Sequence, residues 1–145
     1  MKPIFTTIAI ATLVVIASLT QAQAQSPSAR VKVPFAFDCG MAHFAAGTYA
    51  IAVDKDVLIL SGSTQRAMTL VKWRTDSNTD QPGYLTFRQY GNRYFLAQFH
   101  ANDGVTVDLG ASAKERNLIR EQVSNPKDSG TVRLALNDSA LGRSR

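Results

Sequence analysis

Cysteine and histidine are scarce in this sequence of 145 residues, which contains one cysteine, Cys39, and two histidines, His43 and His100. A single cysteine cannot close an intrachain disulfide, and the C-x-x-C and H-x-x-x-H spacings of common metal sites are absent. The sequence therefore predicts no metal and no cofactor. Cys39 is expected to be a small buried apolar side chain, with an interchain disulfide as the alternative.

Motifs of known catalytic chemistry are absent as well. The sequence has no G-x-S-x-G nucleophile elbow, no G-x-G-x-x-G loop and no Walker phosphate loop. Asp38 precedes Cys39, and a neighbouring carboxylate raises the pKa of a thiol, which is the wrong direction for a nucleophile. We therefore expect a protein that is not an enzyme.

The sequence also lacks an apolar run of the roughly 20 residues that a membrane-spanning helix needs. Its main apolar run, residues 8–19, follows Lys2 and precedes an Ala-Gln-Ala triplet. This organisation is typical of a cleavable secretory signal peptide, here residues 1–24, in which Ala22 and Ala24 are the signal-peptidase recognition residues. We expect export through the Sec route to the periplasm or the outside of the cell, with no transmembrane span in the mature chain. An uncleaved membrane anchor is the alternative.

Size and charge limit what the mature protein can be. Removal of the first 24 of 145 residues leaves 121, which is enough for one domain and too few for two cores. The net charge of +5 becomes +4 because Lys2 is lost, and no run of five like charges occurs. A mildly basic exported domain suits an envelope protein or an anionic glycan as partner, and export excludes nucleic acid.

Alternating apolar residues predict a β-rich domain over residues 31–136. Residues 25–30 are polar and are expected to form a flexible N-terminus. The alternation predicts an edge strand over residues 31–37, which contain a proline, and a hairpin over residues 48–60. Residues 66–73 are apolar on both faces, which predicts a more central strand.

Residues 84–100 give the strongest hairpin signal, with a turn at Gly91 and Asn92. A two-residue loop would pair Arg88 with Phe95, whereas a three-residue loop would pair Phe87 with Phe95. We expect the three-residue loop because it places the apolar side chains on one face. These are Leu85, Phe87, Phe95, Ala97 and Phe99. Asn92 is then expected to adopt the left-handed backbone of the loop.

A short late helix is predicted over residues 112–123. Its first residues, Ser-Ala-Lys-Glu, form a capping box, in which the Ser112 hydroxyl and the Glu115 carboxylate each accept a hydrogen bond from a backbone N–H. Residues 131–136 alternate again and leave a late strand open, and residues 137–145 are expected to be a disordered tail.

The predicted elements amount to seven to eight short strands and one short late α-helix. Strands at this close spacing predict an all-β, mainly antiparallel fold. Both a sandwich and a small barrel agree with the pattern.

One group of side chains could form a ligand surface at the tip of the 84–100 hairpin. Tyrosine and arginine together can stack against flat rings or sugar faces. The alternative is structural, since exposed tyrosines pack across strands and arginine stems cover them. The residues of this surface are Tyr84, Arg88, Tyr90, Arg93 and Tyr94.

Four segments together carry a resemblance to a known group of proteins. They read VPFAF at residues 33–37, FAAGTY at 44–49, RQYGNRYFL at 88–96 and SAKERNLIRE at 112–121. The sequence resembles short exported β-rich proteins of uncharacterised function, of the kind abundant in acidobacteria. The resemblance covers residues 31–122. It implies a Gram-negative envelope setting and no particular substrate.

We expect an exported, non-catalytic binding or structural domain of the periplasm or cell surface. A lipocalin-like carrier of small molecules is the first alternative, and a hydrolase with an unrecognised site is the second.

Overall fold

The computed structural model describes residues 29–77, 81–122 and 129–136. The predicted signal peptide with Ala22 and Ala24, and the predicted tail at residues 137–145, lie outside the described residues. The described residues contain eleven strands and one helix. In chain order these are β1 (Ala29–Val33), β2 (Phe37–Cys39), β3 (Ala42–Phe44), β4 (Gly47–Asp54), β5 (Val57–Ser61), β6 (Arg66–Leu70), β7 (Trp73–Asp76), β8 (Tyr84–Tyr90), β9 (Arg93–His100), β10 (Val105–Asp108), α1 (Ala113–Gln122) and β11 (Ser129–Ala135).

The strands form two sheets. The small sheet has the order β1-β4-β5-β6, and the large sheet has the order β11-β8-β9-β10-β7, with β2 pairing to β9 and β3 to β2. Every pairing is antiparallel except the short one between β2 and β9. The sheets do not close into a barrel, so the all-β prediction is confirmed in its sandwich form.

Aromatic side chains fill the space between the sheets. Phe37 stacks on Phe44 at a ring distance of 5.2 Å and meets Tyr49 of the small sheet edge-on at 5.4 Å. It also meets Phe87 of the large sheet edge-on at 5.3 Å. Side chains that alternate along each strand supply the rest of the core, because successive residues of a strand point to opposite faces.

Two predicted strands each divide into two. The strand predicted over residues 31–37 breaks after Val33, at Pro34, and resumes as β2 in the large sheet. The strand predicted over residues 66–73 leaves the small sheet after Leu70. The Val71 N–H still donates to Asp56 of the small sheet, whereas the Lys72 N–H donates to Asp108 of the large sheet, both at 2.8 Å.

The prediction that residues 66–73 form a central strand is wrong. β6 is the edge strand of the small sheet, and its apolar residues on the second face are exposed. The outward residues of β6 are apolar although they meet solvent. An apolar pattern on both faces therefore does not indicate a second covering layer here.

The predicted three-residue loop of the 84–100 hairpin is also wrong. Arg88 pairs with Phe95 across a two-residue turn, and Gly91 alone takes a positive φ, of 60°. A positive φ at the first turn residue is the pattern of a type II′ turn, so Asn92 needs no left-handed backbone. A bulge at Ala97 then restores Phe99 to the core face, opposite Leu85.

The late strand and the helix are both present. β11 pairs with β8 over Ser129–Ala135, and α1 spans Ala113–Gln122. β1 begins at Ala29, within the segment that the sequence predicts to be flexible.

Candidate functional site

The outer edge of β6 is open among the described residues, where β6 pairs with β5 alone. The Val71 N–H donates to the Asp56 carbonyl, and hydrogen-bonding pairs alternate along an antiparallel ladder. Thr69 therefore also directs its backbone groups to β5. The N–H and C=O groups of Met68 and Leu70 point away from the sheet and have no backbone partner in the described structure.

The side chains along this edge are apolar and exposed. Met68 is 64% exposed and Leu70 is 75% exposed. They lie opposite Ile59 and Val57 respectively, on the face of the small sheet that is turned away from the core. Large apolar side chains beside free backbone donors and acceptors form a template for another strand.

Three other edge strands of the described sheets carry charge instead. β1 presents Arg30 and Lys32 to solvent, β7 presents Arg74 and Asp76, and β11 presents Arg133. Charged side chains on an edge discourage pairing with another chain. β6 has no such protection along its centre, since its own charge stands only at its first residue, Arg66.

An open cleft of about 760 Å³ runs beside this edge. We call it the β6 cleft. One wall is β6 with the two residues after it, the second is the turn between β2 and β3, and the third is the segment that leads into α1. The lining residues that matter below are Met41, Met68, Leu70, Lys72, Ala111 and Arg116.

The β6 cleft is positively charged. Among the described residues, its charged lining residues are Lys72 and Arg116, and none of them is a carboxylate. The stem of Lys72 lies close to Gly110, where a β-carbon would come within 3.3 Å of the Lys72 Cδ. Neither Lys72 nor Arg116 has a carboxylate within salt-bridge distance in the described part of the chain.

A buried carboxylate joins two walls of the cleft. The Asp38 side chain is 4% exposed and accepts hydrogen bonds from Lys114 Nζ at 2.5 Å and from Arg93 Nη2 at 3.2 Å. His43 Nδ1 lies 3.1 Å from the same carboxylate. Burial raises the pKa of Asp38, but hydrogen bonds from Lys114, His43 and Arg93 outweigh it, and the pKa lies below its ordinary value. Asp38 thus ties β2 to the helix.

A second buried carboxylate fixes the start of the helix. Glu115 accepts two hydrogen bonds from the Arg88 guanidinium, at 2.5 and 3.1 Å, and one from the Tyr90 hydroxyl at 3.1 Å. Its own backbone N–H donates to the Ser112 hydroxyl at 3.1 Å. Half of the predicted capping box is therefore present. The other half is wrong, because the carboxylate is taken up by a bidentate arginine of the sheet.

The five residues of the predicted ligand surface separate into four places. Arg88 and Tyr90 bind Glu115, and Arg93 binds Asp38. Tyr94 stacks on Phe35 at 4.1 Å, on the core side of β9. The fifth, Tyr84, stacks on His100 at 4.8 Å, and the Arg133 guanidinium lies 4.1 Å from its ring centre. Arg88 and Tyr90 thus contact the helix, whereas Arg93, Tyr94 and Tyr84 contact other parts of the sandwich.

The histidines and the cysteine considered for metal or nucleophilic chemistry lie in different environments. His100 is buried and lies 2.6 Å from the Thr106 hydroxyl, whereas His43 is at the surface beside Asp38. Burial raises the pKa of the Cys39 thiol to about 12. Within residues 29–77, 81–122 and 129–136, no three histidine, cysteine or carboxylate side chains are grouped to hold a metal ion.

In the part of the chain that the structure describes, no helix has the length and apolar character that crossing a membrane requires. Comparisons with protein-family models, with curated proteins and with solved structures give no match.

The residues of the β6 cleft were missed by reasoning from sequence. One signal was available: β6 reads Arg-Ala-Met-Thr-Leu, with its larger apolar side chains on one face and small ones on the other. Small residues face the core where another element approaches closely, here the β2–β3 turn, in which Gly40 lies against Thr69. The larger side chains therefore face outward.

Proposed function

We propose that the protein is an exported, non-catalytic binding domain of the periplasm or cell surface, and that it binds its partner at the β6 cleft. The observation that carries this proposal is the free edge of β6 with Met68 and Leu70 exposed beside it. Exposed apolar side chains beside unpaired backbone groups are typical of a surface that another molecule covers.

The contacts of the two buried carboxylates support a binding role. The oxygens of Asp38 and Glu115 accept hydrogen bonds from cationic side chains, and these contacts hold two walls of the cleft in place. A general base needs a free lone pair directed at a substrate, and these carboxylates direct theirs inward. Their arrangement suits a rigid binding surface.

The alternatives receive less support. A lipocalin-like carrier needs a closed barrel with an open interior. Here the sheets are open, and stacked aromatic rings lie between them. For a hydrolase, the described histidines and the cysteine lie in separate environments.

Photo-crosslinking in living cells tests the proposal. A photoreactive amino acid is placed at position 70 of the full chain, and in a matched strain at position 131, an exposed position on the edge strand β11. We expect an adduct from position 70 that Met68→Lys removes without lowering the melting temperature, and no such adduct from position 131. The absence of an adduct at position 70, or one that Met68→Lys leaves unchanged, would contradict the proposal.

A further inference from the structure

We propose that the occupant of the β6 cleft is an extended polypeptide segment that pairs with β6 as a fifth strand of the small sheet. An acidic residue of this segment contacts Lys72 and Arg116. This inference rests on the proposed function and specifies the partner.

The backbone of β6 favours a strand over any other occupant. The N–H and C=O groups of Met68 and Leu70 point outward, and a strand supplies matching groups at the same spacing. Pairing along the five residues of β6 takes a segment of about 17 Å, at about 3.3 Å per residue.

The side chains define what the segment carries. Alternate residues of an added strand lie on opposite faces of the sheet. One set would lie beside Met68 and Leu70, and the other would face the cleft wall at Met41 and Ala111. Both surfaces are apolar at these positions, so an apolar segment of high β propensity fits them.

The basic residues of the cleft indicate at which end of the bound segment its acidic residue lies. Lys72 follows the carboxyl end of β6, and Arg116 lines the same cleft. An acidic residue therefore lies at the amino end of an antiparallel segment, or at the carboxyl end of a parallel one. The cleft lining offers such a residue no carboxylate that would repel it.

A second copy of this chain fits less well. Symmetric antiparallel pairing about Met68 would place the second copy's Arg66 opposite Leu70, two residues from Lys72. Arg66 of each copy would then approach the basic cleft of the other copy, and the like charges would repel.

A membrane surface fits less well for a different reason. The free backbone groups of β6 would enter a medium that offers them no hydrogen-bond partner.

Synthetic peptides test the inference on the mature protein. The first peptide alternates valine and threonine over seven residues, has two aspartates before them, and is blocked at both ends. The second replaces the aspartates with lysines, and the third is the first with the backbone nitrogens of all seven valine and threonine residues methylated, so that neither edge of its strand can donate hydrogen bonds. A fourth peptide carries the aspartates at its carboxyl end. Whichever of the first and fourth peptides binds with higher affinity indicates whether the added strand is antiparallel or parallel to β6.

The affinities have a defined expected order. Of the two acidic peptides, we expect the one with the favoured strand direction to bind. The lysine peptide should bind about tenfold more weakly, since two exposed ion pairs are lost. The methylated peptide should not bind. Lys72→Gln weakens the acidic peptide a few-fold, whereas Lys32→Gln, which removes the same charge from β1, has no effect.

Amide hydrogen exchange identifies the pairing itself. The N–H groups of Met68 and Leu70 should become protected when the acidic peptide binds, because their bonds to solvent are replaced. Ala67 and Thr69, which face β5, should change little. Binding that leaves the Met68 and Leu70 amides unprotected overturns the inference, as does an absence of binding at millimolar peptide.

Two further measurements separate this inference from the proposed function. Sedimentation of the mature protein reports a second copy, and flotation with phosphatidylglycerol vesicles reports a lipid surface. If either association occurs and Met68→Lys abolishes it, the strand inference is wrong and binding at the β6 cleft stands. If the acidic peptides do not bind and photo-crosslinking at position 70 gives no adduct, both proposals are wrong.

Discussion

Buried carboxylates are the residues on which the walls of the β6 cleft depend most. Asp38 contacts basic side chains from three separate parts of the chain, His43 on β3, Arg93 on β9 and Lys114 on α1. Its partners keep a third or more of their side-chain surface exposed, so they remain partly hydrated if the carboxylate is removed. The cost of losing Asp38 is therefore moderate for a buried ionic group.

We expect Asp38→Asn to lower the free energy of unfolding by about 2 kcal/mol at pH 7. Because the pKa of Asp38 in the folded protein lies below the unfolded value, its stabilisation is complete above the unfolded pKa. The stabilisation is lost as pH falls through the folded pKa. Urea unfolding should therefore show a smaller loss of stability between pH 5 and about pH 2 in the variant than in the wild type.

Asp76→Asn is the matched control for Asp38→Asn. Asp76 is paired at 3.4 Å with Arg74, but its side chain is 74% exposed. Its loss should lower the free energy of unfolding by no more than about 0.5 kcal/mol. Equal effects of the two substitutions would show that burial of Asp38 contributes nothing.

Cys39 is expected to be unreactive in the folded protein. Cys39 is 2% exposed, and burial raises the pKa of its thiol to about 12. Almost no thiolate is therefore present at pH 8. Iodoacetamide at pH 8 should leave native protein unmodified and should alkylate the same protein in urea, as measured by mass spectrometry. Labelling of native protein at the rate seen in urea, or a covalent dimer without reductant, would contradict this prediction.

At the scale of elements, α1 matters as one wall of the cleft. Its docking depends on Glu115, whose side chain is 2% exposed and contacts Arg88 and Tyr90. Glu115→Gln should lower the free energy of unfolding by about 3 kcal/mol, because the Arg88 guanidinium loses its counter-charge in a partly buried site. The amides of α1 should then exchange faster with solvent, as measured by hydrogen exchange.

Glu121→Gln is the control for this element, since Glu121 is an exposed residue in the last turn of the same helix. It should leave both stability and exchange nearly unchanged. Faster exchange of α1 in both variants would mean that loss of any carboxylate on the helix, not the contact to Arg88, is responsible.

Sequence periodicity predicted element types well and element partners poorly. The alternation over residues 84–100 predicted two strands correctly, but a bulge at Ala97 changes which residues share a face. A register chosen from local alternation assumes two strands without a bulge, and this is why the predicted loop was wrong.

At the scale of the whole molecule, local sequence patterns predict the fold class but do not predict the β6 cleft. Short alternating segments predicted an all-β fold, either a sandwich or a small barrel, because a sheet with one buried face requires that pattern. The β6 cleft depends on which strands lie at an edge and on where the chain changes sheet, at Val71 and Lys72. Both are set by long-range pairing, of which the size pattern along β6 is only an indirect local signal.

The proposed location predicts how the whole chain is processed. Signal peptidase accepts small side chains at the first and third positions before the cleaved bond. We therefore expect the mature protein in the periplasm to begin at Gln25, as measured by its intact mass. Ala24→Leu should leave the precursor uncleaved and bound to the membrane. Gln23→Leu, at the position between the two alanines, should be processed normally. Cleavage of both variants at the same rate, or recovery of the wild-type precursor intact from the cytoplasm, would place the protein in a different compartment and remove envelope molecules as partners for the β6 cleft.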